Sequence, residues 1–318
     1  MKLFNERKKI LITGGAGYIG GYLTDLLLNK GYDVTVYDNL LYESSYRKNV
    51  SFIYGDVRDQ EKLGRIINDF DIVIWLAAIV GDRACSFNPD LTRAVNVDSV
   101  AWLVKNFRGK IVFMSTCSVY GVNENLLDEN SPVNPLSHYA SSKLVAEQIL
   151  LAQADQPLVF RLGTLFGLSD FYSRIRLDLV ANILTKQAAF GETLIAFGGG
   201  QWRPLLHVRD VAHAILYGIE RKIVGLYNLS YKNYQIREIA EAIVKHIPTV
   251  RVSYHNIKFE DLRNYKVSAD KYRALGWQPR FTLTDGITEI AELFGSGRIK
   301  NPDDPVYSNE KFIKNRII

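Results

Sequence analysis

Tyr139 and Lys143 stand four residues apart, so on a helix their side chains share one face. An ammonium beside a phenol, with a positively charged ring nearby, favours the phenolate. A tyrosine that ordinarily titrates near about 10 can then act as an acid/base at neutral pH. The spacing alone does not assign that role, because Tyr254–Lys258 and Tyr307–Lys311 repeat it. Position distinguishes the first pair, which follows the fifth strand of an alternating pattern. That strand ends in Met114-Ser115-Thr116-Cys117-Ser118, where Thr116 could hydrogen-bond a substrate oxygen beside Tyr139. Turn capping is the plainer reading of such a hydroxyl cluster.

A second constellation opens the chain. In Thr13-Gly14-Gly15-Ala16-Gly17-Tyr18-Ile19-Gly20, glycines fall between a strand-like run and a helical pattern. Side chains there would keep a pyrophosphate away from the backbone, and the helix N-terminus offers amides and partial positive charge. The following strand ends in Asp38, eighteen residues after Gly20, where a carboxylate can accept both ribose hydroxyls of adenosine. The same charge repels a 2′-phosphate, so the pattern points to NAD over NADP. Asp56, closing a third strand beside Val57, could reach the adenine amine or simply end the strand.

The elements that must hold these residues alternate. Ile10–Ile12, Val34–Tyr37, Val50–Tyr54, Ile72–Ala77, Lys110–Met114 and Leu158–Phe160 read as strands. Ile19, Leu23, Leu26 and Leu27 line one helical face, with Gly31 as its stop. Asn130–Ser137 reads as a loop leading into the helix of Tyr139. The expectation is an α/β fold, a Rossmann-type doubly wound parallel sheet with a smaller C-terminal substrate domain. Residues 1–165 would form the NAD-binding part, with 205–230 returning to it, and 166–204 and 231–318 the substrate domain.

Composition narrows the class. The chain has 318 residues, 47% hydrophobic and 23% charged, the balance of a soluble globular protein. Its longest apolar run, Ile72 to Val80, is far short of the roughly 20 residues a membrane helix needs. Two cysteines, Cys85 and Cys117, and five histidines without ligand spacing argue against a disulfide framework or a metal site. The net charge of +5 comes from interspersed charges rather than a basic stripe, which argues against nucleic acid as a partner. With no signal-peptide pattern at the N-terminus, a cytoplasmic location is expected.

On these residues the chain resembles an extended short-chain dehydrogenase/reductase of the nucleotide-sugar epimerase/dehydratase family. The resemblance is carried by Thr13–Gly20, Asp38-Asn39, Leu76-Ala77-Ala78 with Val80-Gly81, Asn96-Val97, the Thr116 segment and Ser137–Lys143. It continues through Arg161–Gly167, Trp202–Asp210 and Asp261–Tyr265, although Thr164 stands where asparagine is common. The resemblance implies that Gly14, Gly17, Tyr18, Ile19, Asp38, Asn39, Asp56, Val57, Leu76, Ala77, Ala78, Asn96, Tyr139 and Lys143 bind NAD. It implies that Val80, Gly81, Thr116, Arg176, Asn182, Arg203 and Arg263 bind a nucleotide-diphosphate sugar. Arginine forks suit a diphosphate, though read without the family they are surface residues. Tyr139, Lys143 and Thr116 would be catalytic, taking the hydroxyl proton while hydride leaves the sugar, usually from C4.

Within that family, 4,6-dehydratases carry Asp-Glu after the catalytic threonine, where Cys117-Ser118 stand here. A 3,5-epimerase base cysteine would stand at Ser118, so Cys117 reads as packing. The resemblance therefore implies a 4-dehydrogenase, with a 4-epimerase or 4-ketoreductase as alternatives and a non-catalytic NAD-binding regulator as a reading of another class. It extends loosely to GDP-heptose 4-dehydrogenases of capsule or lipopolysaccharide biosynthesis. It also implies a homodimer, paired through the Tyr139 helix and its neighbour.

Overall fold

The computed structural model describes residues 7–197, 199–255 and 264–317. Its main sheet has seven parallel strands: β1 (Lys9–Thr13), β2 (Asp33–Asp38), β3 (Ser51–Tyr54), β4 (Ile72–Trp75), β5 (Lys110–Thr116), β7 (Gln156–Leu162) and β11 (Gly225–Leu229). Their order, β11-β7-β5-β4-β1-β2-β3, reverses direction at β1, so the chain winds outward on both sides. The remaining strands are β6 (Val122–Leu127), β8 (Thr164–Phe166), β9 (Leu194–Phe197), β10 (Trp202–His207), β12 (Lys232–Gln235), β13 (Val252–His255) and β14 (Asn264–Val267).

The alternation of apolar residues along each strand supplies two cores. Ile10, Ile12, Val34 and Val36 face one side, where Leu23 and Leu27 of the helix Gly20–Asn29 and Val211 and Ile215 of the helix Val208–Glu220 cover them. Leu11, Val73 and Trp75 face the other, under Val100 and Leu103 of the helix Ser99–Asn106 and Ala146 and Leu150 of the helix His138–Gln153. Gly31 takes φ +84 immediately after the first helix, as the stop read from the sequence requires.

A second lobe packs Phe166, Leu205, Ile239, Ile243 and Ile287 around the three-stranded sheet β12-β10-β8. Two further pairs, β13-β9 and β14-β6, complete it. The chain does not follow the expected C-terminal boundary. Tyr272 and Trp277 pack in one core of the main sheet and Ile313 in the other, so the end of the chain returns to the nucleotide-binding lobe. Strand β6 also went unread in the sequence. Its Val122-Asn-Glu-Asn-Leu-Leu is mostly exposed, and it exists by pairing with β14, far along the chain.

The helix His138–Gln153 is fixed to the sheet by charge as well as packing. Glu147, one turn beyond Lys143, is 1% exposed, and its partner Arg161 on β7 is 4% exposed. Arg161 donates to Glu147 through Nε and, at 2.6 Å, through a terminal nitrogen. Ser115 on β5 adds a hydroxyl donor at 2.7 Å. Arg161 also donates to the Tyr120 hydroxyl at 2.8 Å, which donates onward to Asn228 at 2.9 Å. A buried pair of this kind is weak as a net stabiliser but costly to break, because the survivor keeps an uncompensated charge. Arg161→Met should cost about 3–5 kcal/mol in urea unfolding, and the double variant Glu147→Leu/Arg161→Met should recover most of it. Equal losses in the single and double variants would contradict this account.

Candidate active site

The C-terminal ends of β1, β2, β4 and β5 open into one cleft of about 1680 Å³, which runs from Asp38 and Asp56 past Tyr139 to Arg203 in the second lobe. A single small-molecule site commonly spans about 300–1000 Å³, so this cleft has room for two ligands end to end.

At the first end, Gly14 takes φ +70, and a Cβ there would stand 2.6 Å from the Ala77 amide nitrogen. Glycine therefore lets the turn after β1 lie directly against the turn after β4. A Cβ at Gly17 would approach only the Gly14 carbonyl, at 3.2 Å, and would otherwise fill the cleft. The helix beginning at Gly20 has Ile19 as N-cap, no side-chain cap and no acid in its first turn, so its positive end is left for an anion. Tyr18 lines the cleft but commits its hydroxyl to the Gly167 carbonyl at 2.6 Å, tying the glycine turn to the second lobe.

Asp38 accepts from the Ala16 amide at 3.0 Å and the Leu40 amide at 2.7 Å. Each oxygen keeps a further lone pair for a ribose hydroxyl. Burial raises its pKa, and the two amides oppose that. Asp56 accepts from the Arg58 amide, Nε and a terminal nitrogen and from the Asn39 amide, which fills the roughly four acceptor positions of a carboxylate. It thereby holds Asn39 and Arg58 while still lining the cleft. Val57, Leu76, Ala77 and Ala78 line the cleft as expected.

At the centre, Thr116, Tyr139 and Lys143 all line the cleft. Ser137 caps their helix through the Ala140 amide at 3.1 Å, and Asp82 holds the cap with a 2.6 Å bond. Burial pushes the Tyr139 phenol up, with Cys85 and Asp82 adding to the effect and Thr116 and Arg176 opposing it. Burial brings the Lys143 ammonium down to about 7, resisted by Cys85 and Glu147. Lys143 Nζ lies 3.9 Å from the centre of the Phe113 ring. Burial is the largest influence on the phenol of the chain by itself and favours its protonated form. The phenolate reading also rests on a positively charged ring, which would come with a ligand.

Asn96 is 1% exposed and away from the cleft wall. It sits in a short π-helical turn and bonds both backbone groups of Ile79 and the Ser142 hydroxyl, so it positions the loop after β4 against the helix His138–Gln153. Cys117 is buried and donates to the Arg161 carbonyl at 3.2 Å, and burial pushes its pKa up, as suits packing.

On the substrate side, Val80, Gly81, Arg176 and Arg203 line the cleft. Arg176 is bidentate to Asp178 at 2.9 Å, so its charge already faces a carboxylate. Asn182, expected at the substrate, is turned elsewhere. Its amide holds the Gly167 nitrogen at 2.9 Å and the Arg176 carbonyl at 2.8 Å, beneath the wall. Arg263 lies outside the described residues. Sequence reasoning passed over Arg174 and Asn309. Arg174 lies 3.6 Å over the Tyr42 ring and donates to the Val306 carbonyl and to Asn309. Asn309 also donates to the Val80 carbonyl at 2.7 Å and to Asp178 at 2.8 Å, which joins the two sides of the cleft. The only signal for Arg174 was its place two residues before Arg176.

The family model for the NAD dependent epimerase/dehydratase family matches residues 10–230. The chain belongs to this family. It is 29% identical over 296 residues to a putative UDP-glucose 4-epimerase of Methanocaldococcus jannaschii, covering 88% of this chain and 96% of that protein. It is 28% identical to UDP-glucuronic acid decarboxylase 1 of Danio rerio, over 91% of this chain and 73% of that one. Among solved structures, Pal from Bacillus thuringiensis superposes with a TM-score of 0.79 at 26% identity, over 91% of this chain and 99% of that one. The UDP-glucose 4-epimerase of Thermus thermophilus, solved with NAD, gives 0.77 at 25% identity, over 90% and 99%.

As a member of the epimerase/dehydratase family, the protein is an NAD-dependent enzyme. The glycine cradle at Gly14 and Gly17, the uncapped helix and the Asp38 lone pairs fit the dinucleotide. Among the described residues no cluster of metal-binding side chains occurs, and no helix is long and apolar enough to cross a membrane.

The depressed Lys143 has a measurable consequence. Its unfolded form binds a proton up to about 10.5, whereas its folded form releases it near about 7. The folded state is therefore penalised below about 7, and the penalty fades as pH rises towards 10.5. Lys143→Met should raise the ligand-free protein's stability by about 1–2 kcal/mol at neutral pH while removing activity. Thermal melts at pH 7 and pH 10 check this, and a gain that does not shrink with pH would contradict it.

Proposed function

We propose that the enzyme removes hydride from C4 of a nucleotide-activated sugar, with Tyr139 as the acid/base. The observation that carries the reading is one wall shared by Thr116, Tyr139 and Lys143, at the midpoint of a cleft large enough for dinucleotide and substrate together. NAD, when bound, supplies the hydride acceptor and positive charge beside the phenol. That charge offsets the burial that otherwise keeps Tyr139 protonated. Thr116 orients the sugar hydroxyl, and Tyr139 takes its proton. Lys143, brought down to about 7 by burial, lines the same wall one helical turn from Tyr139. Arg176 and Arg203 meet the diphosphate.

The residues after Thr116 weigh against elimination of water. Cys117 and Ser118 are both buried, and Ser118 Oγ lies 3.3 Å from the Tyr265 hydroxyl. Neither is a carboxylic acid able to protonate a leaving hydroxyl. The 4-ketone then has two fates that keep the sugar's carbon skeleton, beside the decarboxylation that one relative's name records. Return of hydride to the opposite face makes a 4-epimerase, a reading supported by the relatives bearing that name. Retention makes the 4-dehydrogenase expected from the sequence, on GDP-heptose or another nucleotide sugar.

Incubation with UDP-, GDP-, CDP- and dTDP-sugars should give either a C4 stereoisomer without net absorbance at the reduced-nicotinamide band, or a 4-ketone with it. No conversion across the set would reject the reading. Tyr139→Phe should lower turnover by about 100-fold or more while NAD affinity is kept. We also propose a homodimer through the helix His138–Gln153, whose Val145 and Leu151 are exposed. Sedimentation at a single-chain mass at micromolar concentration would overturn that.

A further inference from the structure

The second-lobe end of the cleft has a distinct composition. On the helix Val180–Ala189, residues Val180, Ile183, Leu184 and Gln187 recur at helical spacing and line the cleft together. Ile195 on β9 faces them, and Ile183 and Ile195 are 38% and 42% exposed. Gln201, just before β10, and Arg203 on it both line the same cleft. The lining here is therefore apolar, with an arginine and two glutamines among it.

The two glutamines share an unusual property. The Oε1 atoms of Gln187 and Gln201 are buried, and neither has a hydrogen-bond partner among the described residues. A buried acceptor without a donor costs free energy, and native structures hold few of them. Nothing in the catalytic arrangement uses these amides. A flexible amide in that state gains by turning to a donor that a ligand brings, and the flanking isoleucines gain by being covered with a flat apolar face.

We propose that Gln187 and Gln201 read the nucleobase of the substrate, their carbonyl oxygens accepting from N–H groups on its edge while Ile183 and Ile195 cover its faces. This rests on the nucleotide-sugar reading above. With the diphosphate at Arg176 and Arg203 and the sugar at Tyr139, the base is the part left to occupy this end of the cleft. A purely apolar slot discriminates poorly between bases, whereas buried acceptors reject a base whose donors do not reach them.

The test uses the full chain saturated with NAD and titrated calorimetrically with UDP, GDP, CDP and dTDP. The wild type should favour one of the four by at least tenfold. Gln187→Leu and Gln201→Leu should each weaken that nucleotide about tenfold and compress the ranking, with NAD affinity unchanged as the measure of intact folding. Gln201→Glu, which keeps acceptor oxygens and loses the amide donor, should retain the ranking. Leucine variants that bind all four as the wild type does would overturn the assignment and leave the nucleotide-sugar reading standing. A wild type that binds NAD but none of the four would instead strike that reading, and the assignment with it.

Discussion

A lysine ammonium held at 3% exposure carries a large desolvation cost, and the centre of this fold is arranged around one. Lys143 rests over the Phe113 ring and is one helical turn from the Glu147 carboxylate. Glu147 is in turn held by Arg161 and Ser115. The helix thus carries two titratable groups towards the cleft and a third into the sheet, and the third fixes the register of the first two. Without the Glu147–Arg161 pair, packing through Ala146 and Leu150 alone would leave the helix freer to slide. On the proposed reading, a small displacement of Tyr139 matters because proton transfer requires hydrogen-bond contact.

On the proposed reading, the same burial explains why the cofactor and the acid/base belong together. A low-dielectric pocket keeps Tyr139 protonated, and it lets Lys143 give up its charge as pH rises through about 7. A bound positive charge is then the missing element, and it stands to act strongly because water is excluded. The second lobe meets this centre through a few polar ties. Tyr18 bonds Gly167, and Asn309 joins Val80 to Asp178 and Arg174. These bonds set the separation of the cleft walls where the apolar cores, lying on either side, cannot.

Much of this was legible in the sequence because it depends on local rules. The glycine turn, Asp38 at the end of β2, the alternating strands and the Tyr139 helix each follow from spacing and backbone conformation. What was missed depends on partners that spacing does not reveal. The sequence placed Asp56 at the cleft but did not reveal that Arg58, only two residues on, wraps its carboxylate. Asn96 and Asn182 occur where ligand contacts are expected, yet both direct their amides to backbone groups behind the wall. The return of Tyr272, Trp277 and Ile313 to the main sheet, and the pairing of β6 with β14, are long-range events. The depth of the Tyr139–Lys143 face was not legible for a related reason: spacing places two side chains on one face but says nothing of how deeply that face is buried.

The most direct test of the central claim follows the hydrogen itself. The NAD-loaded enzyme would be mixed in a single turnover with its nucleotide sugar carrying deuterium at C4, and the nicotinamide examined by mass spectrometry after quenching. The account predicts one deuterium on the dinucleotide, trapped there or returned to the sugar without exchange into solvent. Turnover that leaves the nicotinamide unlabelled throughout, or that releases the label to water, would contradict it.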